Sequence, residues 1–148
     1  MLRVSVIILI VMLAYAGIYS LMNSIAPKVI MGNSFKAITG KTFDSVTDVG
    51  YLKTLSISHR YMGVYALVTV ILGFFILFAA FRKAQTWAWW SMLIGGGIMW
   101  LWGLINTIAI VDVVNLIGHI IGIVLLLVGV LLPVKVFFAK AAEESQET

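Results

Sequence analysis

Cysteine is absent from this chain, so disulfides, thiolate nucleophiles, iron–sulfur clusters and zinc–thiolate sites are all excluded. Thiol oxidoreductases, a common class of small four-helix membrane enzyme, go with them. Acidic residues are nearly as scarce. There are six, and three of them (Glu143, Glu144 and Glu147) sit in the last six residues. With only His59 and His119 beside Asp44, Asp48 and Asp112, little equipment remains for general acid–base chemistry. The ten Lys and Arg residues are scattered among ends and loops, which excludes a nucleic-acid surface despite the net charge of +4. Polar surface of any kind is lacking. Hydrophobic residues make up 62% of the chain and mean hydropathy is +1.10, so no water-exposed fold can be assembled from the remainder.

What fills the chain instead is a set of long apolar runs. A run of roughly twenty apolar residues matches the hydrocarbon thickness of a bilayer. Four such runs are predicted as membrane helices at 2–22, 59–81, 87–111 and 114–138. Arg3, the apolar run and Ala14-Tyr15-Ala16 mimic a cleaved secretory signal, but the run continues to Met22 and reads as the first span. The expected fold is an all-α, integral membrane four-helix bundle, up-down-up-down, forming one domain over 1–148. At 148 residues without an internal repeat, the chain is too short for a transporter built from two halves in one polypeptide.

Four crossings place both termini on one side. Arg3, Arg82, Lys83, Lys135 and Lys140 lie beside helix ends on that side, whereas the turn from Asp112 to Asn115 has no Lys or Arg. The positive-inside rule therefore predicts cytoplasmic termini, against the thinly spread Lys28, Lys36, Lys41 and Lys53 of the other side. Trp87, Trp89 and Trp90 read as an interfacial aromatic belt. The segment 23–58 is then an outward, ordered loop. Pro27 blocks continuation of the first helix. Asn33-Ser34 is expected to cap a short helix, Phe35 to Thr39, that Gly40 ends. Phe35, Ile38 and Phe43 suit a piece lying on the membrane or plugging the bundle. From Thr47, the spacing of Val49, Leu52, Leu55 and Ile57 predicts a helix leading into the second span. The tail, 140–148, reads as a solvated end.

Polar residues inside a bilayer usually face a partner, a cavity or a ligand. On the fourth span Asn115, Gly118, His119, Gly122, Gly129 and Pro133 share one stripe, with Asp112 just above it. That stripe is expected to face inward, with Pro133 bending the helix against the carbonyl of Gly129. On the third span Ser91, Gly95, Met99, Trp102 and Asn106 share a face, and the second opens with His59-Arg60 beside Gly63. An up-down-up-down bundle would bring Arg60, Asn106, Asp112, Asn115 and His119 together, with His59 nearby.

Several readings fit that cluster. The groups satisfy one another, with Arg60–Asp112 an ion pair and Asn106–His119 a helix-linking hydrogen bond, as polar glue does in membrane bundles. A pocket for a lipid, quinone or small organic molecule would draw on Trp100 and Trp102. A metal on His59, Asp112 and His119 has suitable ligand types but no helical i,i+4 pair. Haem clamped between His59 and His119 would place one ligand near water. No cofactor is predicted. Proton relay through His119 and Asp112 lacks a continuation across the membrane, which disfavours a pump or channel. The run Gly95-Gly96-Gly97 is no phosphate loop, since it sits mid-span without a preceding strand or following Lys. It suits close helix contact, as does Gly118-x-x-x-Gly122. Tyr15, Tyr19, Met12 and Met22 read as core packing, or else as a binding wall.

Taken together, Pro27 after the first span, Phe35-Lys36-Ala37-Ile38-Thr39-Gly40 in the loop, Arg60-Tyr61-Met62-Gly63-Val64-Tyr65-Ala66 opening the second span, the tight final turn and Leu131-Leu132-Pro133 resemble the small four-helix DoxX-like membrane proteins. The resemblance implies a membrane subunit, in some cases associated with quinone-linked oxidoreductases, and transfers no catalytic residue. The expected function is a non-catalytic integral membrane subunit, in contact with the lipid bilayer and packing against partner membrane proteins or as a homo-oligomer, accessory to an oxidoreductase complex. The alternative is a small membrane oxidoreductase or a quinone- or lipid-binding protein using the outer polar cluster. The expected compartment is the plasma membrane of a prokaryote.

Overall fold

A computed structural model describes the backbone of residues 1–144 and the side chains of residues 1–139. The described residues fold into α1 (Leu2–Ile25), α2 (Pro27–Thr39), α3 (Val49–Ala79), α4 (Thr86–Ala109), α5 (Val113–Leu131) and α6 (Val134–Glu144), with single 3-10 turns at Phe43–Ser45 and Phe81–Lys83. Four stretches, Leu2–Ile25, Val49–Lys83, Thr86–Ala109 and Val113–Ala139, are long and apolar enough to cross a membrane. Their outer faces carry large apolar side chains such as Ile18, Phe75, Ile98 and Ile117, each more than half exposed. Water would penalise such a surface and acyl chains do not. The protein is an all-α integral membrane helical bundle.

Each helix boundary has a local cause. Pro27 occupies the first turn of α2, where a missing N–H costs nothing, and Gly40 ends that helix in the left-handed region at φ 70°. α2 is thus longer than the expected Phe35–Thr39 piece, and Asn33-Ser34 lie inside it rather than at its cap. Asp48 caps α3 by accepting from Tyr51 N at 2.9 Å. α3 then runs unbroken for 31 residues, roughly 46 Å at 1.5 Å per residue, so its first turns project beyond the hydrocarbon. Segment 23–58 is therefore mostly helix. Its small core joins Met31 and Phe35 to Phe43, with the two rings edge to face at 5.3 Å, while Ile38 stays exposed. At the tight α4–α5 turn Val111 adopts φ 57°, which lets the N–H of Asp112 reach Thr107 O at 2.9 Å.

Pro133 separates α5 from α6, as its missing N–H requires. The two carbonyls beside the break are not left bare. Gly129 O accepts from buried Ser5 Oγ, and Val130 O accepts from Trp89 Nε1 at 2.8 Å. Trp89 is accordingly a core residue rather than part of an interfacial belt, while Trp87 and Trp90 remain exposed. Phe137 of α6 packs on Phe81 with centroids 4.7 Å apart, tying the end that carries both termini. α6 continues to Glu144, and 145–148 of the expected tail lie outside the described residues.

The helices do not close into a square. α1 lies between α3 and α5, and α4 packs on the other side of α5. α3 and α4 touch little beyond their connecting turn. A cleft therefore opens between them, floored by α1.

Candidate functional site

The cleft has two parts. The larger, about 490 Å³, lies toward the α2 end and is lined from α1 by Tyr19 and Asn23, from α3 by His59 and Ala66, and from α4 by Trp100 and Asn106, among others. The smaller, about 220 Å³, continues toward the termini between Val70 and Gly73 on α3 and Ser91, Gly95 and Gly96 on α4. Met99 borders both. α2 covers the wide end with Ile30 and Ser34.

Above the wide end lies a hydrogen-bonded network. Asp112 is 3% exposed, caps α5 through Asn115 N at 3.1 Å, and accepts from Asn115 Nδ2 at 2.7 Å and from Ser34 Oγ at 2.5 Å. Tyr19 Oη donates to Asn115 Oδ1 at 3.3 Å, so α1, α2 and α5 meet at these groups. Burial by itself would raise the Asp112 carboxyl, but the bonds from Ser34, from the Asn115 side chain and from the amides of Asn115 and Val114 outweigh it and hold the carboxyl below its ordinary value. Because the folded state prefers the anion, this stabilisation is complete above the unfolded value near 3.9 and is lost as pH falls through the lower folded value. Asp112→Asn should cost about 2 kcal/mol at neutral pH, the worth of charge-assisted bonds. It should also flatten the acid limb of the thermal unfolding midpoint in detergent. An acid limb identical to that of the wild type would remove Asp112 from the account.

The sequence-predicted residues divide between these two places. Asp112 and Asn115 are together, and His119 follows one turn below, its Nδ1 donating to Asn115 O at 2.7 Å. Its other nitrogen lies against Gly103 of α4, where any side chain would collide with it. Arg60 is not part of the cluster. It is exposed on α3, beyond α1 from Asp112, and the carboxylate is occupied by Ser34 and Asn115 in place of the expected ion pair. Asn106 bonds back to Trp102 O at 2.7 Å and lines the cleft, so the expected Asn106–His119 bond is not made. The physical reason is the helix order: the polar face of α4 looks across the gap toward α3, and its small and aromatic face meets α5.

His59 pairs at 3.4 Å with Asn23 Oδ1 of α1. His59 is thus held by Asn23 on α1 while Asp112 and His119 both bond to Asn115, and among the described residues no group of three metal-ligating side chains forms. Haem ligation through His119 does not fit either, since its Nε2 abuts the α4 backbone at Gly103.

Residues that sequence reasoning missed are Asn23, Ser34 and the packing of Trp100. Trp100 stacks on Tyr15 with centroids 5.9 Å apart and planes 5° apart, and meets His119 edge-on at 6.0 Å. Gly122 provides the space for its benzo ring. Polar residues near a helix end were the available signal for Asn23 and Ser34, but nothing in their spacing names a partner on another helix. No family model, curated protein or solved structure matches the chain.

Proposed function

We propose that this integral membrane protein is a non-catalytic binder of a small membrane-soluble molecule, held in the cleft between α3 and α4. The observation that carries this reading is the cleft itself: about 490 Å³ of space with apolar walls and polar groups at one end, within the range of small-molecule sites. The scarcity of acid–base groups, with Asp112 committed to structural bonds, supports binding over catalysis.

Ala66 lines the cleft from α3, and Ala66→Phe would occupy it. Native mass spectrometry of protein purified in mild detergent should find one small amphipathic molecule per wild-type chain and none on Ala66→Phe. Equal occupancy of the two would end the reading.

A second reading, the accessory subunit packing against a partner membrane protein, is supported by a different observation. A methyl group added at Gly97 of α4, which borders neither part of the cleft, would meet nothing within 4 Å, so that backbone is open to a neighbouring helix. The DoxX-like resemblance favours such a partner in an oxidoreductase complex. Under both readings the Lys- and Arg-bearing terminal end faces the cytoplasm. A polypeptide retained in stoichiometric amount, with no small molecule, would favour the subunit.

A further inference from the structure

Resting on the cleft as a binding site, we propose that its ligand enters sideways from the bilayer, between Met62 of α3 and Trp102 of α4, and that α2 is a latched cap over the end facing water. Two side chains define the mouth. Met62 and Trp102 line the larger cavity from opposite helices, yet they are 62% and 68% exposed. A residue does both only where a cavity reaches the surface, so these two mark its rim. That surface is hydrocarbon. α4 has 24 residues and is about 36 Å long, against a hydrocarbon core about 30 Å thick. Trp102 lies about 10 Å from the Ala109 end of that helix, so the mouth opens on acyl chains rather than on headgroups.

The end facing water is closed by α2, whose Ile30 and Ser34 border the same cavity. Ser34 Oγ donates to Asp112 Oδ2 at 2.5 Å and accepts from Asn115 Nδ2 at 3.2 Å, which fastens α2 to the start of α5. Among the described residues no other side-chain hydrogen bond ties α2 to another helix. Its remaining hold is apolar: Met31 and Phe35 pack with Phe43 against Leu52 and Leu55 of α3. At its start, Ala26 leaves helical geometry at φ −131° and ψ 57°, which makes a joint between α1 and α2. Releasing Ser34 lets α2 tilt away from α5 about that joint and admits water to the wide end. With Ser34 fastened, compounds dissolved in water are shut out and the cleft samples molecules dissolved in the leaflet.

The test has two arms, each on the full chain in phosphatidylcholine nanodiscs. For the bilayer side, the wild type is illuminated with a diazirine-bearing hexadecane dissolved in the lipid, and labelled residues are located by peptide mass spectrometry. Met99, which borders both parts of the cleft, should carry the label. A wild-type chain labelled on its lipid-facing residues but not on Met99 would overturn sideways entry. For the water side, Ala66→Cys supplies the sole thiol in a chain without cysteine. A cationic methanethiosulfonate then reports water at that position, because the thiolate is the form that reacts. With Ser34 in place the reaction should be slow. Ser34→Ala in that background should speed it about tenfold, the worth of one hydrogen bond to a charged group, whereas Ser34→Thr, which keeps the hydroxyl, should not. An unchanged rate in Ser34→Ala would overturn the latch. So would a rate with Ser34 in place that equals the rate at exposed Lys41→Cys. The first arm is read on the wild type, so poor folding of a variant does not shield the proposal. Either failure leaves the cleft as a site, which the occupancy of Ala66→Phe decides separately.

Discussion

Gly63→Ala is expected to destabilise the bundle by about 2 kcal/mol, although alanine is the better helix former by about 1 kcal/mol. The added methyl would lie 2.5 Å from Ser24 Oγ, 2.7 Å from Ser24 N and 2.8 Å from Ser20 O. Two of those atoms are α1 main chain, so no rotamer change relieves the contact and α1 and α3 must separate. Overpacking of this kind costs about 3 kcal/mol at its upper end, which exceeds the helix-propensity gain. Ser24 Oγ also bonds Ser20 O at 3.0 Å, so that hydrogen bond would be strained as well. Gly97→Ala is the matched control, because nothing lies within 4 Å of its added methyl. It should be neutral or stabilising by up to about 1 kcal/mol. Unfolding both variants by titration with a denaturing detergent in mixed micelles compares them directly. If the two shift stability in the same direction, close approach at Gly63 is not what holds α1 to α3.

Gly122→Leu should have a larger effect, above about 4 kcal/mol, and should cost the protein its monodisperse elution. The Cε3 and Cζ3 atoms of Trp100 occupy the space that any side chain at position 122 would need. Trp100 cannot withdraw, since Tyr15 and His119 hold it. The leucine would therefore separate α4 from α5 and open the wall of the cleft. Trp100→Ala on its own should cost about 3–5 kcal/mol through the cavity it leaves. In that background the further cost of Gly122→Leu should shrink by about 2 kcal/mol or more, since neighbours that share one space are not additive. Full additivity of the two changes would show that the glycine and the indole do not oppose each other.

Both predictions concern glycines, and this reflects what decides packing in a bilayer. Acyl chains are as apolar as leucine, so burying one hydrophobic face rather than another yields little, and close backbone approach and hydrogen bonds choose the neighbours. The inward stripe on α5 was legible because it interrupts Ile, Val and Leu with Gly and polar residues, and Gly122 and Gly129 are indeed buried. The end of α2 at Gly40 was legible because backbone chemistry alone requires it, and at Pro133 the expected bend is a break between α5 and α6. The cluster around Asp112 was only half legible. Asn115 and His119 follow from helical spacing, but Ser34 arrives from 78 residues away and displaces Arg60 as the partner.

Composition and the spacing of apolar runs settled that hydrocarbon surrounds this chain and that four helices cross it, because transfer from water depends on residue type summed over about twenty positions. Which helices touch depended on the folded arrangement, since that choice turns on single methyl groups at Gly63, Gly103 and Gly122 and not on any sum. The placement of α1 between α3 and α5, and the gap left facing α4, came from those close contacts. So did the seat of Trp100, whose unpaired N–H has no trace in the order of residues along the chain.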